Sequence, residues 1–147
     1  MQRFNFLLII GLIILLSSCS KEVKKESIII EKKLGSQAIE AFNEGKKALE
    51  EGDSLFAAKK FNEVETLFPQ SDLAPRSLLM AAYAYYFQDY YQDAVAELQR
   101  FLKVYPLHEN IDYAYYLLAI SYYEQIVDEK KDLQSIINAK ENFDIVI

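Results

Sequence analysis

Residues Pro69 to Leu118 read PQSDLAPRSLLMAAYAYYFQDYYQDAVAELQRFLKVYPLHENIDYAYYLL, and this stretch decides the fold. Its landmarks recur at one distance. Ala57 and Ala94, Pro69 and Pro106, and the pairs Tyr85-Tyr86 and Tyr122-Tyr123 are each 37 residues apart. A fixed period in the thirties predicts a solenoid, in which each unit buries its apolar face only by stacking on the next. Each unit reads as two helices. Ile39, Phe42 and Leu49, then Ala57, Phe61, Val64 and Phe68, fall at helical spacing. Gly52-Asp53 is the turn between them and Pro69 stops the second helix. Gly45 and Ala57 are twelve residues apart, which puts one small residue on each helix where the two cross closely.

These residues resemble the tetratricopeptide repeat (TPR) pattern of a small residue, then Ala, then an aromatic, then Pro. Unit one supplies Gly45, Ala57, Phe61 and Pro69; unit two supplies Ala82, Ala94, Leu98 and Pro106; unit three supplies Ala119, Ala139 and Phe143. Ala41 stands where the pattern prefers Trp, with Phe42 beside it. The expected fold is therefore all-α, a superhelix of helical hairpins. It has about three repeats (38–71, 75–108 and 112–147), the third truncated.

The chain opens with one positive charge, Arg3, and an apolar run from Phe4 to Leu16. That run is short for a membrane span of about 20 residues. With the small residues that follow, it describes an export signal over residues 1–18. Leu16-Ser17-Ser18-Cys19 resembles the bacterial lipobox, in which the cysteine is acylated and becomes the first mature residue. The alternative is an uncleaved anchor with an incidental cysteine. Ser20 after Cys19 resembles the default for sorting to the outer membrane. Residues 19–36 are expected to form a lipid-anchored, flexible tether. Within it, Ile28-Ile29-Ile30 reads equally as a short extended piece that docks or as a helical start.

Composition narrows the function. From Cys19 onward there are 15 basic and 22 acidic side chains, a formal charge of −7. This balance argues against a nucleic-acid partner. No phosphate-binding glycine loop is present, and Cys19 is the only cysteine, so no intramolecular disulfide is possible. The single histidine, His108, has no second ligand or nucleophile beside it, so neither a metal centre nor a catalytic constellation is expected. It reads as a loop or helix-start residue after Pro106, bonding toward Asp112. The covalent lipid on Cys19 is the only attached group expected, with no cofactor and no enzymatic activity. Glu40, Glu44, Glu50, Glu51, Glu63 and Glu65 sit opposite lysines and read as a solvated face.

All eleven tyrosines lie between Tyr83 and Tyr123. Counted from the repeat start, Tyr85, Tyr115 and Tyr122 fall at packing positions. Arg76, Leu79, Tyr83 and Tyr86 fall on the groove side of unit two, and Tyr113, Tyr116, Ile120 and Tyr123 on that of unit three. A tyrosine combines a large apolar face with a polar tip, which suits a peptide-binding groove. The competing reading is inter-helix packing with the hydroxyls at the rim. Arg76 is the one cation of the set, placed to pair with a peptide carboxylate, a C-terminus included, or else to form a surface ion pair of little worth.

The run from Pro69 through Ser77-Leu78-Leu79-Met80 to Tyr86, then Arg100-Phe101, then Tyr105-Pro106 to Leu117, together with the lipobox, resembles the BamD family of TPR lipoproteins of the outer-membrane β-barrel assembly machine. The likeness covers about Gln37 to Ile147 and includes a lengthened third turn, Asp128 to Ser135. It implies a lipid-anchored scaffold on the periplasmic face of the outer membrane. The implied partners are unfolded outer-membrane proteins, the barrel-forming assembly protein and other assembly lipoproteins. The family typically carries five repeats and this chain stops within the third, so an N-terminal fragment is expected, with an exposed apolar edge at Ile147 and unit three least stable. A pilus-assembly or other cell-envelope TPR lipoprotein would share the anchor and the repeat but not the Tyr105–Leu117 run. An enzyme acting on cell-wall polymers would need a nucleophile or carboxylate pair that is not visible here.

Overall fold

The computed structural model describes residues 24–127 and 132–147, and among them it is all helical. Six helices follow in order: α1 (Lys24–Glu50), α2 (Ser54–Leu67), α3 (Ala74–Phe87), α4 (Tyr91–Val104), α5 (Ile111–Tyr123) and α6 (Leu133–Val146). They pair as α1/α2, α3/α4 and α5/α6, one hairpin per repeat. Residues Leu34–Ile147 form one compact unit. In the preceding unit, the described residues 24–33 are helical, so Ile28-Ile29-Ile30 takes the helical of its two readings. The segment expected as a flexible tether is thus helix from Lys24 onward. Nothing between Lys24 and Ser36 breaks it: there is no proline, and Gly35 costs a helix interior only about 1 kcal/mol.

Repeat chemistry fixes the hairpin turns. Gly52 has φ of +84°, a conformation glycine adopts without strain. Its N–H donates to the Leu49 carbonyl and the Asp53 N–H to the Ala48 carbonyl, a Schellman closure of α1. The Asp53 carboxylate then caps α2 by accepting the Phe56 N–H at 3.1 Å. One repeat later Asp89 holds the same left-handed position at φ +61°. The bonds are the same, from Asp89 N–H to Tyr86 and from Tyr90 N–H to Tyr85. Aspartate tolerates this conformation better than most residues, and here the Tyr91 hydroxyl donates to its Oδ1 at 2.7 Å.

The connections between repeats also match. The Ser71 hydroxyl accepts the Leu73 N–H at 3.2 Å, and His108 Nδ1 accepts the Asn110 N–H at 3.1 Å. Positions 71 and 108 are one period apart, so His108 does the turn-forming work of a serine. Its expected bond toward Asp112 is replaced by this one, because the residue two positions on presents its N–H within the turn. The His108 ring also stands edge-on to Phe101, centroids 5.4 Å apart.

Two apolar clusters fill the stack. The first joins Ala38, Ala41 and Phe42 of α1 to Ala57, Phe61 and Val64 of α2 and to Ala81 and Ala84 of α3. The second joins Leu78, Leu79 and Ala82 of α3 to Leu98 and Phe101 of α4 and to Ala114, Leu117 and Leu118 of α5. Helix α3 therefore buries two faces, which is why its apolar residues run almost unbroken. Ala57, Phe61, Ala82, Ala94, Leu98 and Ala119 are all fully buried, as the repeat pattern predicts. A Cβ on Gly45 would lie 2.8 Å from the Phe61 ring, so the expected close crossing of α1 and α2 occurs there.

Polar pairs stitch neighbouring helices. Arg100 of α4 bonds Glu65 and Asn62 of α2 as well as Glu97 of its own helix. Gln99 donates to the Tyr122 hydroxyl at 2.9 Å, and Tyr85 sits beside Asn62 one period earlier. Tyr85 and Tyr122 are half-buried against the two clusters, in keeping with their packing positions. Lys60 joins α2 to α1 through Glu44 at 2.7 Å. Nine residues separate α5 from α6, against three between α3 and α4, and α6 buries only Ala139. Ile145, Val146 and Ile147 are exposed. Helix α6 already begins at Leu133, so part of the expected long loop is its first turn.

Candidate functional site

Helices α3 and α5 are the first helices of consecutive repeats, and Tyr83 and Tyr86 of α3 lie near Tyr113 and Tyr116 of α5. On α3, Arg76, Leu79, Met80 and Tyr83 recur at three- and four-residue spacing and share a face. Facing them are Asn110, at the N-cap of α5, and Tyr113 in its first turn. Together these six residues line a cavity of about 450 Å³. Four of them, Arg76, Leu79, Tyr83 and Tyr113, are groove residues predicted from the repeat register. Met80 and Asn110 were missed, although Asn110 occupies the position just before a repeat's first helix.

The predicted residues play different parts. Leu79 is only 7% exposed and belongs to the second core cluster, so it forms the floor of the groove. Ile120 is half-buried and packs on the same cluster. Tyr83 and Tyr86 are half-buried, whereas Tyr113, Tyr116 and Tyr123 are exposed. The rings form three separate pairs: Tyr83 with Phe87 at 6.2 Å, Tyr86 with Tyr91 at 5.7 Å, and Tyr116 with Phe143 at 6.3 Å. Tyr123 lines a second cavity of about 900 Å³ between α5 and α6, with Glu124, Ala139, Lys140 and Phe143.

The electrostatics tie these tyrosines into one cluster. Loss of solvent around the Tyr113 phenol pushes its pKa above the usual range, and Tyr83, Tyr116 and Tyr86 add to the effect. Burial raises Tyr86 too, followed by Glu124 and Tyr116. The Tyr113 and Tyr86 phenols thus stay neutral well beyond neutral pH, each a hydrogen-bonding tip on an apolar ring.

Arg76 is exposed, and its guanidinium lies over the Phe42 ring of α1, 5.5 Å from the centroid. Among the described residues it takes part in no ion pair. A stacked arginine keeps its fork of donors free for a planar carboxylate. The arrangement can therefore bind an anion next to an aromatic slot. Among the described residues, no group of three or more His, Cys, Asp or Glu is placed to hold a metal ion, and no helix is long and apolar enough to cross a membrane. Cys19 and the signal segment lie outside the described residues.

The family described as YfiO, outer membrane lipoprotein, matches residues 35–147. The chain is 35% identical over 117 residues to an outer membrane protein assembly factor BamD from Caulobacter vibrioides, covering 79% of this chain and 37% of that protein. A protein of the same name from Rickettsia prowazekii is 33% identical over 146 residues, covering 99% of this chain and 55% of its own length. One from Neisseria meningitidis serogroup A is 34% identical over 116 residues, covering 77% of this chain and 42% of its own. The chain thus spans between 37% and 55% of the length of these relatives. The family match extends from α1 through all three hairpins, including both groove helices, and on that ground the chain belongs to the YfiO family of outer membrane lipoproteins.

Proposed function

We propose that this chain is the substrate-reading part of an outer-membrane protein assembly factor. It captures extended, aromatic-ended C-terminal segments of unfolded β-barrel proteins in the groove between α3 and α5. Cys19 carries the lipid that holds it on the periplasmic face of the outer membrane, where tethering raises its local concentration near the assembly site. The barrel-forming assembly protein and other assembly lipoproteins are its proposed partners. It works by binding and not by catalysis.

The observation that carries this reading is the pairing of Arg76 with the Leu79–Tyr83–Tyr113 cavity. An arginine without an ion pair among the described residues, next to a slot of aromatic faces, suits a terminal carboxylate adjoining an aromatic side chain. The BamD relatives, named as outer membrane protein assembly factors, support the same reading.

The test is fluorescence anisotropy with a labelled peptide copying the C-terminal strand of a barrel protein, using the full chain in mild detergent. Tyr83→Ala/Tyr116→Ala should weaken binding about tenfold or more, since aromatic anchors dominate such interfaces. Capping the peptide C-terminus as an amide should mimic Arg76→Gln. Circular dichroism checks that the variants are folded. Failure of the folded wild type to bind would refute the reading.

A further inference from the structure

The two groove helices run in the same direction. The N-terminal half of α3 (Arg76 to Tyr83) lies beside the start of α5 (Asn110, Tyr113), while Tyr86, near the end of α3, feels Tyr116 and Glu124, near the end of α5. Both helices thus turn their positive dipole ends toward Arg76 and their negative ends toward Phe87 and Tyr123. Charged side chains stand at both ends, and Asp112 lies in the first turn of α5. Arg76 stands at one end. At the other are the carboxylates of Asp89, just past α3, and Glu124, the C-cap of α5. The cation that lines the neighbouring cavity, Lys140, is already paired with Asp144. The aromatic faces continue to this end, where the Tyr86 and Tyr91 rings meet at 5.7 Å and 54°. The Tyr91 hydroxyl is held by Asp89, and Tyr123 is 60% exposed.

We propose that the groove has a second, cation-selective pole, formed by Tyr86, Tyr91, Asp89 and Glu124, that reads a basic side chain on the bound peptide and so fixes its direction. The inference rests on the groove reading above. Aromatic faces and carboxylates attract an ammonium or guanidinium jointly, and the aligned helix ends add to that attraction. The spacing is set by α3. Arg76 and Tyr86 are ten residues apart, about 15 Å at the helical rise. An extended peptide covers that distance in roughly four to five residues at about 3.3 Å each. The groove therefore selects a Lys or Arg four to five positions before the terminal carboxylate.

The test uses the full chain in mild detergent and a set of labelled peptides ending in Phe. They differ only in carrying Lys, Gln or Glu at the fifth residue from the C-terminus. The Lys peptide should bind about fivefold more tightly than the Gln peptide, the scale of one exposed cation–π contact with a supporting charge, and the Glu peptide more weakly than either. The preference should vanish in Asp89→Asn/Glu124→Gln, which keeps side-chain shape and removes both charges. Equal binding of the Lys and Gln peptides, with both lost in Tyr83→Ala/Tyr116→Ala, would overturn the cation pole and leave the groove standing. A Lys preference that survives Asp89→Asn/Glu124→Gln would overturn it too. Binding of none of the peptides would bring down the groove reading and this inference with it.

Discussion

Replacing Gly45 with alanine tests whether the α1/α2 crossing sets the tightness of the first repeat. A Cβ at this position would lie 2.8 Å from Phe61 Cε1, 2.9 Å from Cδ1 and 3.1 Å from Cζ. The ring has no free side to retreat to. Phe61 is fully buried, and Phe42 packs against it at 5.5 Å. Overpacking of this kind costs about 1–3 kcal/mol. Against it stands the gain of about 1 kcal/mol for replacing glycine by alanine inside a helix. The balance is a net loss of about 1 kcal/mol, and about 2 kcal/mol if the ring cannot tilt. Gly35, in the same helix, has no atom within 4 Å of its would-be Cβ. Gly35→Ala should keep the propensity gain and stabilise by up to about 1 kcal/mol. Urea denaturation followed by circular dichroism reads both. A Phe61→Leu background removes the ring edge, so the Gly45→Ala penalty should shrink there even though Phe61→Leu is itself destabilising. The reasoning fails if Gly45→Ala stabilises as much as Gly35→Ala, or if its penalty is the same with leucine at position 61.

Two further outcomes follow from the turns and the phenols. Gly52→Ala has open space around its Cβ but a φ of +84°, so it should lose about 1–2 kcal/mol through backbone strain alone, seen as a lower urea midpoint at an unchanged slope. Alkaline pH should destabilise the fold. The Tyr91 phenol, hydrogen-bonded to Asp89 and partly desolvated, is pushed up to about 12 from 10.0. The folded state thus holds a proton that the unfolded chain releases first. That stability is complete below about pH 10 and is lost as pH rises through the folded value. Urea midpoints taken across this range should fall less steeply in Tyr91→Phe than in wild type.

Much of the architecture was legible because repeat signals are local. The 37-residue period, the glycine and aspartate at the turns, and the prolines after α2 and α4 report backbone needs that depend on nearby residues alone. The buried alanines were legible for a related reason, since two helices cross closely only where side chains are small. Leu79 and Tyr83 are one turn apart on one stripe, but spacing did not say that leucine stops in the core while the longer tyrosine reaches the rim. The His108 bond was misread because the two candidate partners, the Asn110 N–H as donor and the Asp112 carboxylate as acceptor, differ only in how the loop folds back.

By itself, the sequence determined the helical hairpins, their stacking order and the buried small residues of the repeat pattern, Ala57, Ala82, Ala94 and Ala119. Periodicity and turn chemistry encode all of these without reference to distant residues. Tertiary structure decided which side chains meet across repeats. Arg76 over Phe42 joins residues 34 positions apart, and the tyrosines of α3 meet those of α5 only when one hairpin stacks on the next. Those contacts depend on the angle between neighbouring hairpins, which is set by the summed packing of two core clusters and not by any local pattern.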